Sequence, residues 1–430
     1  MDAEARIELI RDLCSFERRL AGTDSERRAA NWLAATLRAR GRTAEVEPIY
    51  VHPQAPLVTA LHCAIGFAGS IASIASPPVG FALVLAAATS MYLDLNARRY
   101  LLRRLFWRRA SQNVVSPGGR PDAPARLLLC AHYDAARGGW ALGPGRVRLG
   151  ERVARLLGVP FGPSRALFWS LAALLPILGA RLAGVNGPGL SLVQLLPTLA
   201  LLAGAFALGE MRLADVVPGA NDNASGVATA LSVAAALDAD PPRHLDVWLV
   251  LAGAGECLME GMRAFVRTHH EVLDPATTFF LNIDSVGAGE LRYVTSEGLA
   301  VGFEMDRRVT ELCAAIAAAS EGGPDEPRPL AWGLASDGLP LRLARYPGTT
   351  ITATAPGSSL APNRRRPTDV PDAIDRRALD LAHRFTVDLA RQLDREAGRR
   401  AERPAAAGAG SAAQPPPAPE ASPGHAGAAR

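Results

Sequence analysis

Residues 127–135 read LLLCAHYDA, and residues 219–231 read GANDNASGVATAL. The first stretch is an unbroken apolar run that stops at His132-Tyr133-Asp134. Continuous apolar character is the pattern of a strand covered on both faces, which puts the polar triplet at its carboxyl end. The second stretch opens with Gly, Asn and Asp and passes into an Ala-rich run, a loop feeding a long helix.

Two further strands repeat the arrangement. LDVWLVL (245–251) ends at Ala252-Gly253-Ala254-Gly255-Glu256, and TTFFLNIDSVG (277–287) carries Asp284 near its end. An edge-like strand LRYVT (291–295) and a helix around 305–319 follow. Strand and helix alternate, as in an α/β domain with a mixed, mostly parallel sheet. Ligands in such sheets bind beyond the carboxyl ends of the strands, where each polar cluster falls. Upstream, apolar residues three or four apart from Ile7 to Leu20 predict a helix over 3–20. Thr23 and Glu26 form a capping box opening a second helix, and 44–51 reads as a strand.

This domain is interrupted twice. Residues 57–93 contain no Asp, Glu, Lys or Arg and are divided by Ser76-Pro77-Pro78. The run is nearly twice what one helix needs to cross a roughly 30 Å hydrocarbon layer, so two spans with a tight turn are expected. A second pair, about 165–184 and 188–209, is split at Val185-Asn186-Gly187-Pro188. The chain thus divides into 1–56, a hairpin at 57–95, 96–164, a hairpin at 165–211, 212–397, and an Ala/Pro/Gly-rich tail at 398–430 expected to lack structure. The segment NARRYLLRRLFWRRA (96–110) is the densest arginine cluster near any span. Positive flanks stay on the cytoplasmic side, so an integral membrane protein with its hydrophilic domain facing the cytoplasm is expected, with the bilayer as partner.

Composition narrows the classes. The chain is 49% hydrophobic and 20% charged, with a net charge of only +4 and no nucleic-acid-binding pattern around its arginines. The apolar runs hold no acidic residue before Glu210, which disfavours a transporter. Five scattered cysteines with no CxxC pair argue against a disulfide framework, and MDAEARIELIRDL lacks the apolar core of a cleaved signal peptide.

His132, Asp222, Glu256 and Asp284 stand out as metal-ligand candidates, since imidazole plus carboxylates is a zinc donor set. Asp134 is placed to accept from the second imidazole nitrogen of His132. With NVV (113–115), GECLMEGMRAF (255–265), SDGLP (336–340) and RRPTDVPDAID (365–375), these pieces resemble, in order, the M28 family of zinc aminopeptidases. The resemblance covers roughly 1–60 and 110–395 and implies a three-layer α/β sandwich with a pair of zinc ions. It implies His132 and Asp284 as ligands of one metal, Asp222 as the bridge, Glu256 as a ligand of the second, Asp134 as the residue orienting His132, and Asp337 as the Asp of an SDH motif.

Three positions depart from that pattern. Gly255 stands at the general-base position, Arg365 where the final metal-binding His belongs, and Gly338 where SDH has its His. The expected state is one zinc ion at His132, Asp222 and Asp284, or none, with Arg365 paired to Glu256. The function expected is a membrane-anchored M28-like protein with lost or strongly reduced aminopeptidase activity, kept as a binding or regulatory module. The alternative is an active aminopeptidase acting on peptide N-termini through a rearranged site, with Glu260, Asp337 or Asp369 supplying the missing group and Cys257 nearby. A protein partner is not legible.

Overall fold

The structure, a computed structural model, describes residues 1–319 and 326–409. Helices α1 (Ala3–Ser15) and α2 (Asp24–Ala39) precede β1 (Glu45–Val51). α1 stops short of the expected Leu20, because the Phe16 backbone leaves helical geometry and Arg18 turns to a φ of 57°. Thr23 caps α2, accepting from the Glu26 N–H at 3.3 Å. Glu26 does not complete the box: it turns inward and accepts from Gly22 N, Ser111 Oγ and Ala254 N. Burial pushes its carboxyl up to about 8.

The chain leaves this layer as α3 (Ala55–Ala75) and α4 (Pro77–Leu95). It returns through β2 (Arg109–Ser116), β3 (Ala125–His132) and α5 (Pro144–Leu156), then leaves again as α6 (Pro163–Leu182) and α7 (Pro188–Leu213). Pro77 and Pro188 each open a helix, where a missing N–H is harmless. All four excursion helices are long and apolar enough to cross a membrane. They pack into one bundle with Ile74, Leu196 and Phe206 outward. Several of its buried polar groups answer one another: Arg181 Nε donates to Gln194 Oε1 at 2.8 Å, and Gln194 Nε2 to Ser70 O at 2.8 Å.

The rest comprises α8 (Gly226–Ala239), β4 (Leu245–Ala252), α9 (Glu260–His269), β5 (Thr278–Asp284), β6 (Glu290–Glu297), β7 (Phe303–Glu304), α10 (Arg307–Ala318), β8 (Arg328–Ala331), α11 (Gly338–Leu343), β9 (Gly348–Thr354) and α12 (Arg376–Ala409). One sheet runs β1-β2-β4-β3-β5-β9-β6-β7, with β8 also on β6. Its centre, β4-β3-β5-β9, is parallel, and the register sets His132 beside Ala252 and Asp284 beside Thr352. The carboxyl ends of these strands therefore lie level. β6 is not an edge strand: it pairs with β9, β7 and β8.

Helices α1, α2, α8, α10 and α12 bury their apolar faces against one side of the sheet, and α9 and α11 against the other. This is the expected three-layer sandwich around a mixed sheet. The first part of the expected structureless tail is a correction, since α12 runs through 398–409. Ala, Arg and Glu in that stretch are strong helix formers, and Ala397 is buried against the core. Residues 410–430 lie outside the described residues.

Candidate metal centre

Three of the four expected ligands converge. His132, Asp222 and Asp284 each offer a ligand atom, and these atoms all lie within 4.8 Å of one another in buried surroundings. His132 ends β3 and Asp284 ends β5, so sheet register alone brings them close.

Asp222 arrives by a different route, through the loop ahead of α8. Gly219 begins it at φ 68°, where an added Cβ would meet the Asp222 carbonyl oxygen at 2.7 Å. Only glycine suits that turn. The loop is then stitched to the end of β5. Asn223 Nδ2 donates to Ile283 O at 2.9 Å, and Asn223 Oδ1 accepts from Ser285 N at 2.9 Å. Asn221 Oδ1 accepts from Gly287 N at 2.7 Å, and Ser225 Oγ from Val286 N at 3.1 Å. The polar residues of NDNAS thus answer backbone groups that would otherwise be buried without partners. Asp369 supports the loop from behind, accepting from Asn221 N at 2.7 Å and Asp222 N at 3.1 Å. It holds the loop, and burial pushes its carboxyl up to about 7.

His132 Nδ1 lies 3.3 Å from Asp134 Oδ1, and Nε2 lies 3.6 Å from Asp222 Oδ1. Asp134 also accepts from Gly255 N at 2.8 Å and Glu256 N at 3.1 Å, tying the turn after β4 to the histidine. Burial works against a charged imidazole, but Asp134 and Asp222 overcome it and hold His132 well above its usual range. Burial likewise opposes ionisation of Asp222, yet the Arg364 guanidinium and His132 keep its carboxyl well below the usual carboxylate range. Asp284 is pushed up by burial and by the Asp222 charge beside it.

Glu256 stands apart from the triad. Its carboxylate pairs with Arg365, as expected, and burial pushes it up despite that pairing. The sequence reading missed the neighbouring arginine: Arg364 Nε donates to Asp222 Oδ2 at 3.1 Å. The signal lay in RRR (364–366), but only one of its three positions matched a ligand position in the resemblance. Asp222 and Glu256 thus already carry guanidinium partners.

The departing glycines are close-packed. A Cβ on Gly255 would sit 2.5 Å from His132 Cβ, and one on Gly338 would sit 2.4 Å from Thr350 Oγ1. The backbone here has no room for a glutamate or an imidazole at these positions. Of the substitutes considered, Glu260 is paired to Arg103 at 2.8 Å and accepts from His52 N at 2.8 Å. Cys257 is buried in a small apolar cluster that pushes its thiol well up. Asp337 differs: it is buried with both oxygens unpartnered, and burial lifts its carboxyl to about 7. A cavity of about 250 Å³ joins His132, Asp284, Glu256 and Asp337 to Thr59 of α3 and Met211 of α7.

Residues 208–390 match the family model of peptidase family M28, so this part of the chain is similar to an M28 peptidase domain. The match takes in Asp222, Glu256, Asp284 and Arg365, with His132 upstream of it. Among solved structures, a zinc aminopeptidase from Bacillus subtilis is similar at a TM-score of 0.53 and 15% identity, over 91% of this chain and 95% of that one. A Zn-dependent exopeptidase from Parabacteroides distasonis gives 0.51 and 14%, over 90% and 97%. A glutaminyl cyclase from Bacteroides thetaiotaomicron gives 0.50 and 14%, over 91% and 97%. At such identities the likeness is one of fold, and the M28 domain's own residues must carry any functional argument. A search of curated proteins returns no match.

Proposed function

We propose that this chain is a membrane-anchored M28 homologue that takes up no more than one zinc ion, through His132, Asp222 and Asp284, and whose aminopeptidase activity is lost or strongly reduced. The pair of arginines carries this reading: Arg364 on Asp222 and Arg365 on Glu256. A guanidinium keeps its charge at any working pH, so Arg365 sets a positive charge where a second ion would need an imidazole. The triad itself fits zinc. Two ligand atoms about 2.1 Å from a tetrahedral ion lie roughly 3.4 Å apart, and His132 Nε2 and Asp222 Oδ1 are separated by 3.6 Å.

A bound zinc ion supplies Lewis acidity and lowers the pKa of a coordinated water. The remaining work falls to the chain, which is poorly equipped for it. Asp134 orients His132, but Gly255 offers no proton acceptor. Losing a placed base forfeits roughly 10²–10⁴ in rate.

An active enzyme with a rearranged site is the second reading, and Asp337 favours it. A buried carboxyl with no partner, titrating near neutrality and lining the same cavity, is suited to exchange a proton with a substrate. Zinc content and turnover of unblocked aminoacyl substrates separate the two. At most one zinc per chain and no turnover above that of His132→Ala is the expected result. Two zinc ions overturn the first reading, as does turnover lost in both His132→Ala and Asp337→Asn.

The four apolar helices are taken to cross the bilayer as two hairpins, with the sheet domain on the cytoplasmic side. The arginines of 98–109 beside the end of α4 support that orientation. In sealed vesicles, Arg104→Cys should be labelled only from the cytoplasmic face and Val185→Cys only from the other. Labelling of both from one face sinks this part.

A further inference from the structure

A second cavity lies where the segment following the first hairpin meets α9 of the sheet domain. It has a volume of about 540 Å³, and Arg98, Arg99, Arg104, Arg108, Arg263 and Arg267 line it. Its one carboxylate is already engaged: Glu260 takes Arg103 on Oε1 and the His52 N–H on Oε2. Arg103, buried beneath, also pairs with Asp94 of α4 at 2.9 Å. Among the described residues, none of the six lining arginines forms an ion pair with a carboxylate.

Arg263 is the telling member. It is 8% exposed, stacks on Tyr100 at 4.2 Å, and its Nη1 is buried without a hydrogen-bond partner. Leaving a buried charged donor unanswered is costly, so such a group marks a place where an anion belongs. The segment that supplies Arg98, Arg99, Arg104 and Arg108 also exposes apolar side chains, with Leu105 79% and Trp107 59% exposed, and Tyr50 of β1, itself exposed, lines the cavity. Arginine interleaved with exposed Leu and Trp, at the end of an apolar helix, is the composition of a segment lying in a membrane interface.

We propose that this cavity binds the phosphate of an anionic glycerophospholipid headgroup, with Arg263 at its floor, while Leu105 and Trp107 enter the acyl boundary. The inference rests on the membrane reading above. The shared chemistry is a phosphate monoanion, which free phosphate would also offer, and the buried floor makes charge-assisted hydrogen bonds to it. Because Arg103 ties α4 to α9 directly under this floor, an occupied site would fix the M28 domain against the bilayer.

The test uses the full chain in uncharged detergent. Thermal unfolding is followed on adding short-chain phosphatidylglycerol, short-chain phosphatidylcholine, or inorganic phosphate. Both lipids carry the phosphate, but phosphatidylcholine would also bring its choline cation among the arginines, so phosphatidylglycerol is expected to raise the midpoint and phosphatidylcholine to leave it unchanged. The apparent affinity should fall roughly tenfold or more in Arg263→Gln and in the exposed double variant Arg99→Gln/Arg104→Gln. The double variant covers the case in which Arg263→Gln does not fold. Equal shifts with both lipids, or a phosphatidylglycerol shift untouched by the double variant, overturn the proposal. A shift with inorganic phosphate equal to that with the lipid overturns the lipid assignment. Vesicle labelling is read separately: a chain that fails to insert, yet still responds to inorganic phosphate alone, sinks the membrane reading and the lipid source together.

Discussion

Two arginine clusters look alike as sequence and end in opposite situations. The run at 364–366 lies against the carboxylates of the candidate metal site, with Arg364 on Asp222 and Arg365 on Glu256. The run at 98–109 surrounds a cavity whose carboxylate is already spent on Arg103, so its outer arginines have no acidic partner among the described residues. The first set are counter-ions for the protein's own buried acids. The second set are open to an anion from outside. Composition does not separate these roles; what stands opposite each guanidinium does.

The largest expected effect separates the clusters by stability. Arg364→Met leaves the buried Asp222 carboxylate with only His132 opposite it and should cost about 3–5 kcal/mol in chelator. Unfolding in detergent with and without zinc is the measurement, and zinc should restore part of the loss. Next comes Asp337, a buried acid with no partner at all. Its carboxyl sits at about 7 because of burial, against roughly 3.9 in an unfolded chain. Between those values the folded state holds a proton that the unfolded chain has released. Stability should therefore fall as pH rises from about 4 to about 7 and level off above. Asp337→Asn should remove that slope, gaining roughly 2–4 kcal/mol at pH 8 relative to pH 4 in chelator. An unchanged slope would show that Asp337 is not held protonated.

Gly255→Ala tests the packing side of the same contrast. Its Cβ would press on His132 Cβ, so a loss of about 1–3 kcal/mol and weaker zinc binding are expected. Zinc titration of Arg364→Ala should move the other way, with affinity rising roughly tenfold as Asp222 is freed for a metal. Smallest of all, Arg99→Gln in the absence of lipid should stay within about 0.5 kcal/mol of the parent. A loss there as large as that of Arg364→Met would erase the distinction between the clusters.

Much of the site was legible because it sits at the ends of strands with strong patterns. The run 126–131 and the break at His132 placed one candidate ligand, and Asp284 followed from the matching strand. The Arg365–Glu256 pairing also followed, since a cation at a ligand position has few other uses. Arg364 was missed because its partner, Asp222, lies far away in sequence and is reached only through the loop that NDNAS and Asp369 hold in place. Asp369 and Glu260 looked like candidate bases for the same reason, since an acidic letter does not reveal whether backbone N–H groups or a guanidinium already occupy it. The helix through 398–409 was hidden by a composition that reads as low complexity, although its alanines favour helix.

The sequence by itself determined the alternation of strand and helix, the two apolar interruptions and the polar residues at each strand end. These are properties of short windows, set by periodicity and run length. Tertiary structure alone decided which charges cancel one another, that Gly255 and Gly338 are too tightly packed to carry the missing groups, and that Arg263 is buried with its Nη1 lacking a hydrogen-bond partner. Those outcomes depend on distances between groups far apart in the chain, and pairing and desolvation are settled only when folding brings such groups within a few ångströms.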